Sequence, residues 1–235
     1  MGPYLIYKKL GFRRRFIHYF LLNLARLIFW FIPYEVHGKE NLPHEGVPTI
    51  LASNHLSHID SVFTAVAAFP VKRAIRFTGA ADFMKKIIFR WTKYELAFPV
   101  GRGPVERERF IRKSLTLLEN GETVGIYPEG GRSKTGRIRF DKLKVGAGWI
   151  AKLAGPQAKV VPVFVYGTNN IIPIGQFFRL NLHTPVRIYF GSPLELTHYY
   201  PLPNNVETSK MITREILKGI LKERRKCLIN LSTSY

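Results

Sequence analysis

The chain has 235 residues, of which 46% are hydrophobic, so it is long and apolar enough to bury a substantial core and is not a disordered polymer. Lysine and arginine number 36 against 16 aspartate and glutamate, which gives a formal net charge of +20. A surface this basic favours anionic partners such as nucleic acid, anionic lipid or a phosphorylated substrate. The one cysteine, Cys227, excludes an internal disulfide and a metal cluster built on thiolates.

The amino-terminal segment, residues 1–33, is predicted to anchor the protein to a membrane. It opens with five basic residues: Lys8, Lys9, Arg13, Arg14 and Arg15. The mostly apolar stretch 16–32 follows, and as a helix it would be roughly 25 Å long, just short of a typical hydrocarbon core. Its polar residues share an arc of about 140° on a helical wheel: His18, Asn23 and Arg26.

A basic, aromatic helix with one polar stripe favours an orientation in the plane of an anionic membrane surface. A short spanning or re-entrant helix is the alternative. A signal peptide is disfavoured because no small-residue cleavage site follows the apolar stretch.

Residues 34–235 are predicted to form one α/β domain. Apolar runs predict strands at residues 48–51, 74–78, 96–100, 123–127, 160–166 and 186–190. Amphipathic spacing predicts helices at residues 61–69, 83–94, 104–120, 142–154 and 208–228. Residues 35–48 are rich in glycine and proline and are predicted as turns. This alternation indicates a layered domain with a mixed central sheet flanked by helices, in which functional loops lie at strand ends.

One stretch, Asn54-His-Leu-Ser-His-Ile-Asp60, places a histidine and an aspartate at a strand-to-helix junction. In one straight helix His55 and Asp60 would lie about 140° apart. Ser57 as an N-cap, with Asp60 three residues later, predicts a break between them. A hydrogen bond from the imidazole to Asp60 then becomes possible, which would fix the tautomer and leave the other nitrogen as a base. An ordinary loop contact is the alternative, and His58 is a rival for the base.

Three further blocks follow in order: Phe-Pro-Val-Gly-Arg at 98–102, Tyr-Pro-Glu-Gly-Gly-Arg-Ser at 127–133, and Val-Val-Pro-Val at 160–163. Together with the His–Asp stretch they resemble the glycerolipid acyltransferases of the 1-acylglycerol-3-phosphate O-acyltransferase (PlsC) type. The resemblance covers about residues 35–196. It departs at Gly131, where the family usually has threonine, and at Tyr127, where it often has phenylalanine. Gly131 lacks the hydroxyl of the family's threonine, and this difference concerns the identity of the acceptor more than the class of reaction.

The resemblance implies transfer of a fatty acyl group from acyl-CoA or acyl carrier protein to the hydroxyl of a lysophospholipid, with lysophosphatidic acid as the first candidate. His55 is then the expected general base and Asp60 the group that holds it, and the alcohol attacks directly because no serine or cysteine is obviously activated. The candidate substrate-binding residues are Arg102, Glu129, Gly130, Gly131, Arg132 and Ser133.

Each candidate binding residue has a chemical reason and an ordinary alternative. The planar forks of Arg102 and Arg132 suit a phosphate, and Glu129 is expected to orient one of them or to contact the glycerol. The glycine pair would let backbone N–H groups approach a ligand. The alternatives are a surface salt bridge for Glu129 and Arg132 and a simple turn for Gly130-Gly131.

No metal or bound cofactor is expected, because the acyl-CoA or acyl carrier protein is a co-substrate. The expected location is the cytoplasmic face of a membrane, and no nucleic-acid partner is expected because no recognised binding module is present. Two alternatives stay open. One is a different acceptor, such as glycerol-3-phosphate or a lyso-aminolipid. The other is a catalytically idle, basic membrane-binding protein on the same fold, against which the presence of both His55 and Asp60 argues.

Overall fold

The computed structural model describes residues 12–71, 75–80, 97–133, 135–138, 140–174 and 185–233. Its centre is a mixed sheet whose strands are β1 (Tyr34–His37), β2 (Thr49–Ser53), β3 (Ile75–Ala80), β4 (Ala97–Val100), β5 (Thr123–Ile126), β6 (Lys159–Tyr166) and β7 (Val186–Phe190). The α-helices in the described ranges are α1 (Phe12–Ile28), α2 (Asp60–Ala67), α3 (Pro104–Glu119), α4 (Gly146–Ala154), α5 (Thr168–Ile171) and α6 (Val206–Ser232).

The strand order across the sheet is β1-β7-β6-β2-β5-β3-β4. The five strands from β6 to β4 run parallel to their neighbours, whereas β7 runs antiparallel to β6 and parallel to β1. The prediction of a mixed sheet flanked by helices is therefore confirmed. Because parallel strands end at the same edge of a sheet, the loops that follow β2, β4, β5 and β6 all leave from one edge.

Buried side chains cover both faces of the sheet, as strand β2 shows. Its residues alternate, so that Ile50 and Ala52 join the cluster beneath α3, α4 and α6, while Leu51 joins the cluster beneath α1 and α2. Every residue of β2 is buried. A strand that is covered on both faces favours consecutive apolar residues, here the three from Ile50 to Ala52, which explains why this strand could be predicted from the sequence.

Several predicted elements begin or end elsewhere in the structure. Residues 35–48 are predicted as turns, yet Tyr34–His37 forms β1, which pairs with β7. The helix predicted from residue 142 begins only at Gly146. A short 3-10 helix, Phe140–Lys142, precedes it, and between the two the backbone N–H of Lys144 donates to the carbonyl oxygen of Pro128 at 3.0 Å. The helix predicted at 83–94 lies outside the described residues.

Helix α1 begins four residues earlier than the predicted stretch and packs against α2. Leu22 of α1 is buried in the core that this helix shares with α2, and so is Ile32, which lies just beyond the end of α1. The outer side of this segment carries exposed apolar residues: Phe16, Phe20, Leu24, Leu27, Ile28, Trp30 and Phe31. We use the name α1 outer face for this set.

The predicted polar stripe of α1 is only partly described. The Asn23 amide donates to the carbonyl oxygen of Tyr19, and the Arg26 guanidinium lies 5.0 Å from the centre of the Phe69 ring. The basic side chains of residues 8–15 and the side chain of His18 lie outside the described part of the chain. Among the helices that are described, none combines the length and the apolarity needed to cross a membrane.

Candidate active site

The candidate site starts where β2 ends, at the buried residue Asn54. Its side-chain amide donates to the carbonyl oxygen of Val165 at 2.9 Å, and its amide oxygen accepts the N–H of Val165 at 2.8 Å. The side chain thus continues the pairing of β2 with β6 after the β2 backbone has turned away. This pair of bonds fixes the start of the loop that carries His55.

The carboxylate of Asp60 organises this loop from inside the protein. It has no exposed surface and accepts four hydrogen bonds. One oxygen accepts the backbone N–H groups of Leu56 and Ser57 at 2.6 and 2.9 Å and binds Nδ1 of His55 at 2.8 Å. The other oxygen accepts the hydroxyl of Thr168 at 2.5 Å. These donors take the place of water around the buried charge. Burial of the carboxylate without them would cost much free energy.

The break between His55 and Asp60 is present, and half of the predicted pattern is found, since the Asp60 carboxylate accepts the backbone N–H of Ser57; the predicted cap by the Ser57 side chain is wrong. Ser57 does not cap α2, which begins at Asp60 with Ile59 in the N-cap position. The Ser57 hydroxyl donates instead to the carbonyl oxygen of Ile172 at 2.8 Å. The loop turns because the Asp60 carboxylate binds the backbone N–H groups that precede the helix.

The surroundings of Asp60 define the tautomer of His55. A carboxylate that accepts two backbone N–H bonds on one oxygen is an acceptor only, so Nδ1 of His55 must carry the proton and donate it. Nε2 is then the nitrogen with a lone pair. It receives no hydrogen bond from the residues that the structure describes, and 18% of the His55 side chain is exposed. A hydroxyl group reaching this opening could give its proton to Nε2.

The ring of Tyr127 stacks on the imidazole of His55. The two rings are stacked, with their centres 3.9 Å apart and an angle of 12° between their planes. Burial, reinforced by the negative charge of Asp60, raises the pKa of the Tyr127 phenol well above its usual value. The stacked ring restricts the rotation of the imidazole.

The loop that follows β5, residues 127–133, touches His55 at both of its ends. Tyr127 stacks on the imidazole, and the backbone N–H of Ser133 donates to the carbonyl oxygen of His55 at 2.7 Å. The first and third sequence blocks are thus in direct contact. The Ser133 hydroxyl donates to the carbonyl oxygen of Arg137 at 2.9 Å.

The other predicted binding residues of this loop have distinct environments. Glu129 is buried and Arg132 is half-buried. Gly130 adopts a φ of 67° and its N–H donates to the carbonyl oxygen of Tyr127 at 2.9 Å. Gly131 is exposed, with open space where a side chain would project. Of the two glycines that were expected to offer backbone N–H groups to a ligand, Gly130 already uses its own within the turn.

Arg102 lies at the same edge of the sheet but farther from His55. It follows β4, which is three strand positions from β2 in the sheet, or about 14 Å at the usual spacing between strands. Neither Arg102 nor Arg132 forms an ion pair with a residue that the structure describes. Both guanidinium groups are therefore open to an anionic ligand.

Two members of the site, Thr168 and Tyr127, were not predicted to take part. Thr168 lies two residues after β6, at the same sheet edge as His55, and its position just after a predicted buried strand is the signal that could have found it. Tyr127 was noticed only as a departure from the family pattern. In the described ranges, no three His, Cys, Asp or Glu side chains come together as they would around a metal ion.

Comparison with known proteins defines the class. A family model described as Acyltransferase matches residues 33–166, more than half of the chain, and the protein belongs to this family. The matched region includes the four sequence blocks and each site residue predicted from the sequence, whereas Thr168 lies two residues beyond it. The resemblance drawn from those blocks is confirmed.

Individual relatives carry a more specific name. The chain is 30% identical over 186 residues to 1-acyl-sn-glycerol-3-phosphate acyltransferase LPAT1, chloroplastic, from Arabidopsis thaliana, with 78% of this chain and 50% of the relative covered. It is 31% identical to the protein BAT2, chloroplastic, of the same enzyme name from Brassica napus, with coverages of 78% and 52%. It is 29% identical to 1-acyl-sn-glycerol-3-phosphate acyltransferase from Bacillus subtilis (strain 168), with coverages of 80% and 86%. The chain therefore spans about half the length of the two plant relatives.

Proposed function

We propose that this protein is an O-acyltransferase that moves a fatty acyl group from acyl-CoA or acyl carrier protein to lysophosphatidic acid and so forms phosphatidic acid. The observation that carries the proposal is the hydrogen bond between Nδ1 of His55 and the buried carboxylate of Asp60. It leaves Nε2 as a base at a partly exposed position. The names of the relatives support this acceptor.

In the proposed reaction the acceptor hydroxyl gives its proton to Nε2 of His55 while its oxygen attacks the thioester carbonyl carbon. The tetrahedral intermediate then expels the thiolate as the carbon–sulfur bond breaks. His55 returns the proton to the sulfur, so that an ester and a free thiol result. The negative charge of Asp60 stabilises the imidazolium that exists between these two proton transfers.

The basic side chains at the same sheet edge are proposed to hold the phosphate of the acceptor. Arg132 lies next to Ser133, whose backbone contacts His55, and Arg102 approaches from the end of β4. A planar guanidinium binds phosphate oxygens in pairs, which gives orientation as well as affinity. The two arginines on separate loops would thereby orient the acceptor hydroxyl toward Nε2.

We further propose that α1 holds the protein in the plane of an anionic membrane on its cytoplasmic side. The α1 outer face supports this, because exposed aromatic and aliphatic side chains of one segment mark an interaction surface. Lysophosphatidic acid and phosphatidic acid both reside in membranes, so an enzyme held there would meet its substrate and release its product in place.

The test is to incubate the full chain with labelled acyl-CoA or acyl carrier protein and a panel of lysolipids, and to identify products by lipid mass spectrometry. We expect phosphatidic acid from the wild type. We expect His55→Ala to lower turnover by about a hundredfold to ten-thousandfold, which is the usual contribution of a general base.

His58→Ala is the matched control, because His58 is exposed in the same loop and is not among the donors to Asp60. It should keep turnover close to that of the wild type. A folded His55→Ala variant with wild-type turnover would refute the mechanism. Absence of any acylated product from the wild type would favour the idle membrane-binding protein.

A further inference from the structure

Lys144 is attached to the loop of the candidate site although it lies outside the four sequence blocks. Its backbone N–H donates to the carbonyl oxygen of Pro128 at 3.0 Å. Its side chain passes over Gly130, since a methyl group at Gly130 would come within 2.6 Å of Cγ, 3.2 Å of Cε and 3.4 Å of Cδ of this lysine. Both the backbone and the aliphatic stem of Lys144 are therefore held against the turn that follows Tyr127.

The position of this stem determines where the ammonium group can lie. Cε is packed beside Gly130, and Nζ is only one bond farther along, so the charge stays close to the same turn. Lys144 is exposed, and it forms no ion pair with an acidic residue in the described part of the chain. The next residue of the turn is Gly131, and the space into which a side chain at this position would project is open.

The same turn is connected to His55 on both sides. Tyr127 stacks on the imidazole before the turn, and Ser133 donates its N–H to the His55 carbonyl oxygen after it. Arg132 lies between Gly131 and Ser133 and is likewise without an ion-pair partner among the described residues. The turn thus contains one cation, Arg132, and has a second, Lys144, packed against it, while its two ends contact His55.

We propose that Lys144 is a phosphate-binding residue of this site. The proposal rests on the proposed function and extends it to a residue that the four sequence blocks do not include. An ammonium group is a compact charge that binds phosphate, and a stem already packed in place loses less freedom when it binds. The absence of a side chain at Gly130 leaves room for the lysine stem, which a larger residue at this position would displace.

Two phosphate groups are available to such a site: the phosphomonoester of a glycerolipid acceptor and the phosphates of coenzyme A. The experiment separates them by titrating the full chain in detergent with glycerol 3-phosphate and, in parallel, with coenzyme A. The proteins compared are the wild type, Lys144→Gln, Lys144→Arg and Lys113→Gln. Lys113 is an exposed lysine near the middle of α3. Its substitution removes the same charge at a different position.

We expect Lys144→Gln to raise the dissociation constant of one of the two probes by roughly tenfold, as for the loss of a charge-assisted hydrogen bond. Lys144→Arg should recover most of that loss, and Lys113→Gln should stay within about twofold of the wild type on the same scale. An effect on glycerol 3-phosphate assigns Lys144 to the acceptor phosphate, whereas an effect on coenzyme A alone assigns it to the donor.

Unchanged dissociation constants for both probes in Lys144→Gln would overturn the proposal, and so would a wild type that binds neither probe. An equal loss in Lys113→Gln would also overturn it, because the effect would then reflect total charge. Failure of the proposed function shows up separately, as a wild type that forms no phosphatidic acid in the acyl-transfer assay. Binding of the probes can be measured whichever way that assay turns out.

Discussion

Asp60 is the residue on which the candidate site depends most, and Asp60→Asn separates its charge from its geometry. The asparagine oxygen can still accept from Leu56, Ser57 and His55, and its amide nitrogen can donate to the hydroxyl of Thr168, which is able to act as an acceptor. The loop should therefore keep its shape. The imidazolium that forms during the reaction would lose its neighbouring negative charge.

We expect Asp60→Asn to lower kcat by roughly a hundredfold or more while the apparent KM for lysophosphatidic acid changes little. Steady-state kinetics measure both, and circular dichroism shows whether the fold is intact. Thr64→Val is a suitable control, because the Thr64 hydroxyl binds the backbone carbonyl of Asp60 and not its carboxylate. Wild-type kcat in the asparagine variant would reduce Asp60 to a structural residue.

Tyr127 allows a second test at the level of a single residue. Tyr127→Phe keeps the ring that stacks on His55, so we expect turnover within about threefold of the wild type. Tyr127→Leu removes the flat surface, and we expect turnover to fall by up to about tenfold, since an aromatic pair contributes about 0.5–1.5 kcal/mol beyond its burial. Equal turnover in both variants would show that the stacking only fills space.

Part of this site could be predicted from the sequence and part could not. The contact between His55 and Asp60 was predictable because both residues belong to one short junction whose local geometry follows from spacing. The role of Ser57 was not, because its hydroxyl binds Ile172, 115 residues farther along the chain. Thr168 likewise reaches Asp60 across 108 residues. Nothing near Ser57 in the sequence indicates Ile172 as its partner, and for Thr168 the one available signal was its place just after a predicted buried strand.

At the level of elements, α1 has two sides with different roles. Its inner side packs on α2 through Leu22, so removing the whole segment would expose the core. The α1 outer face can be changed without touching that contact. The combined variant Phe20→Ser, Leu27→Ser and Trp30→Ser therefore tests membrane attachment separately from folding.

We expect this triple variant to lose at least about tenfold in flotation with anionic liposomes, because each apolar side chain buried in the bilayer interface is worth more than 1 kcal/mol. Its thermal unfolding should match that of the wild type. Val105→Ser combined with Ile229→Ser is the control, since both residues are exposed apolar positions on other helices. Unchanged flotation of the triple variant would place the attachment elsewhere in the chain.

The limits of sequence-based prediction differ among the elements. Strand β7 was predicted at its observed bounds because its residues are buried on both faces of the sheet. Strand β1 was missed because it is a four-residue strand of half-buried and exposed positions at the border of the sheet. Pairing with β7 and the ion pair between Glu35 and Arg187 hold it in place, and both depend on residues about 150 positions away.

For the whole molecule, the parallel run of strands from β6 to β4 explains how distant sequence blocks come together. The loops after β2, β5 and β6 supply His55, Tyr127 and Thr168, and these three strands are neighbours in the sheet. The sequence order of the blocks differs from their spatial order, since β2 lies between β5 and β6. The strand order therefore brings the three loops together, and each loop contributes one residue to the site.

The pairing of β1 with β7 also has a consequence for how the chain folds as it is synthesised. Tyr34 lies opposite Val186, so β1 leaves the ribosome about 150 residues before its partner strand exists. Closing a loop of that length costs little more free energy than closing one half as long, but it cannot happen until the later strand has emerged. Until then β1 is an unpaired edge, attached to a helix whose aromatic face is already outside the ribosome. Among the described strands, β1 can therefore take its place in the sheet only after β7, the last one made, is available.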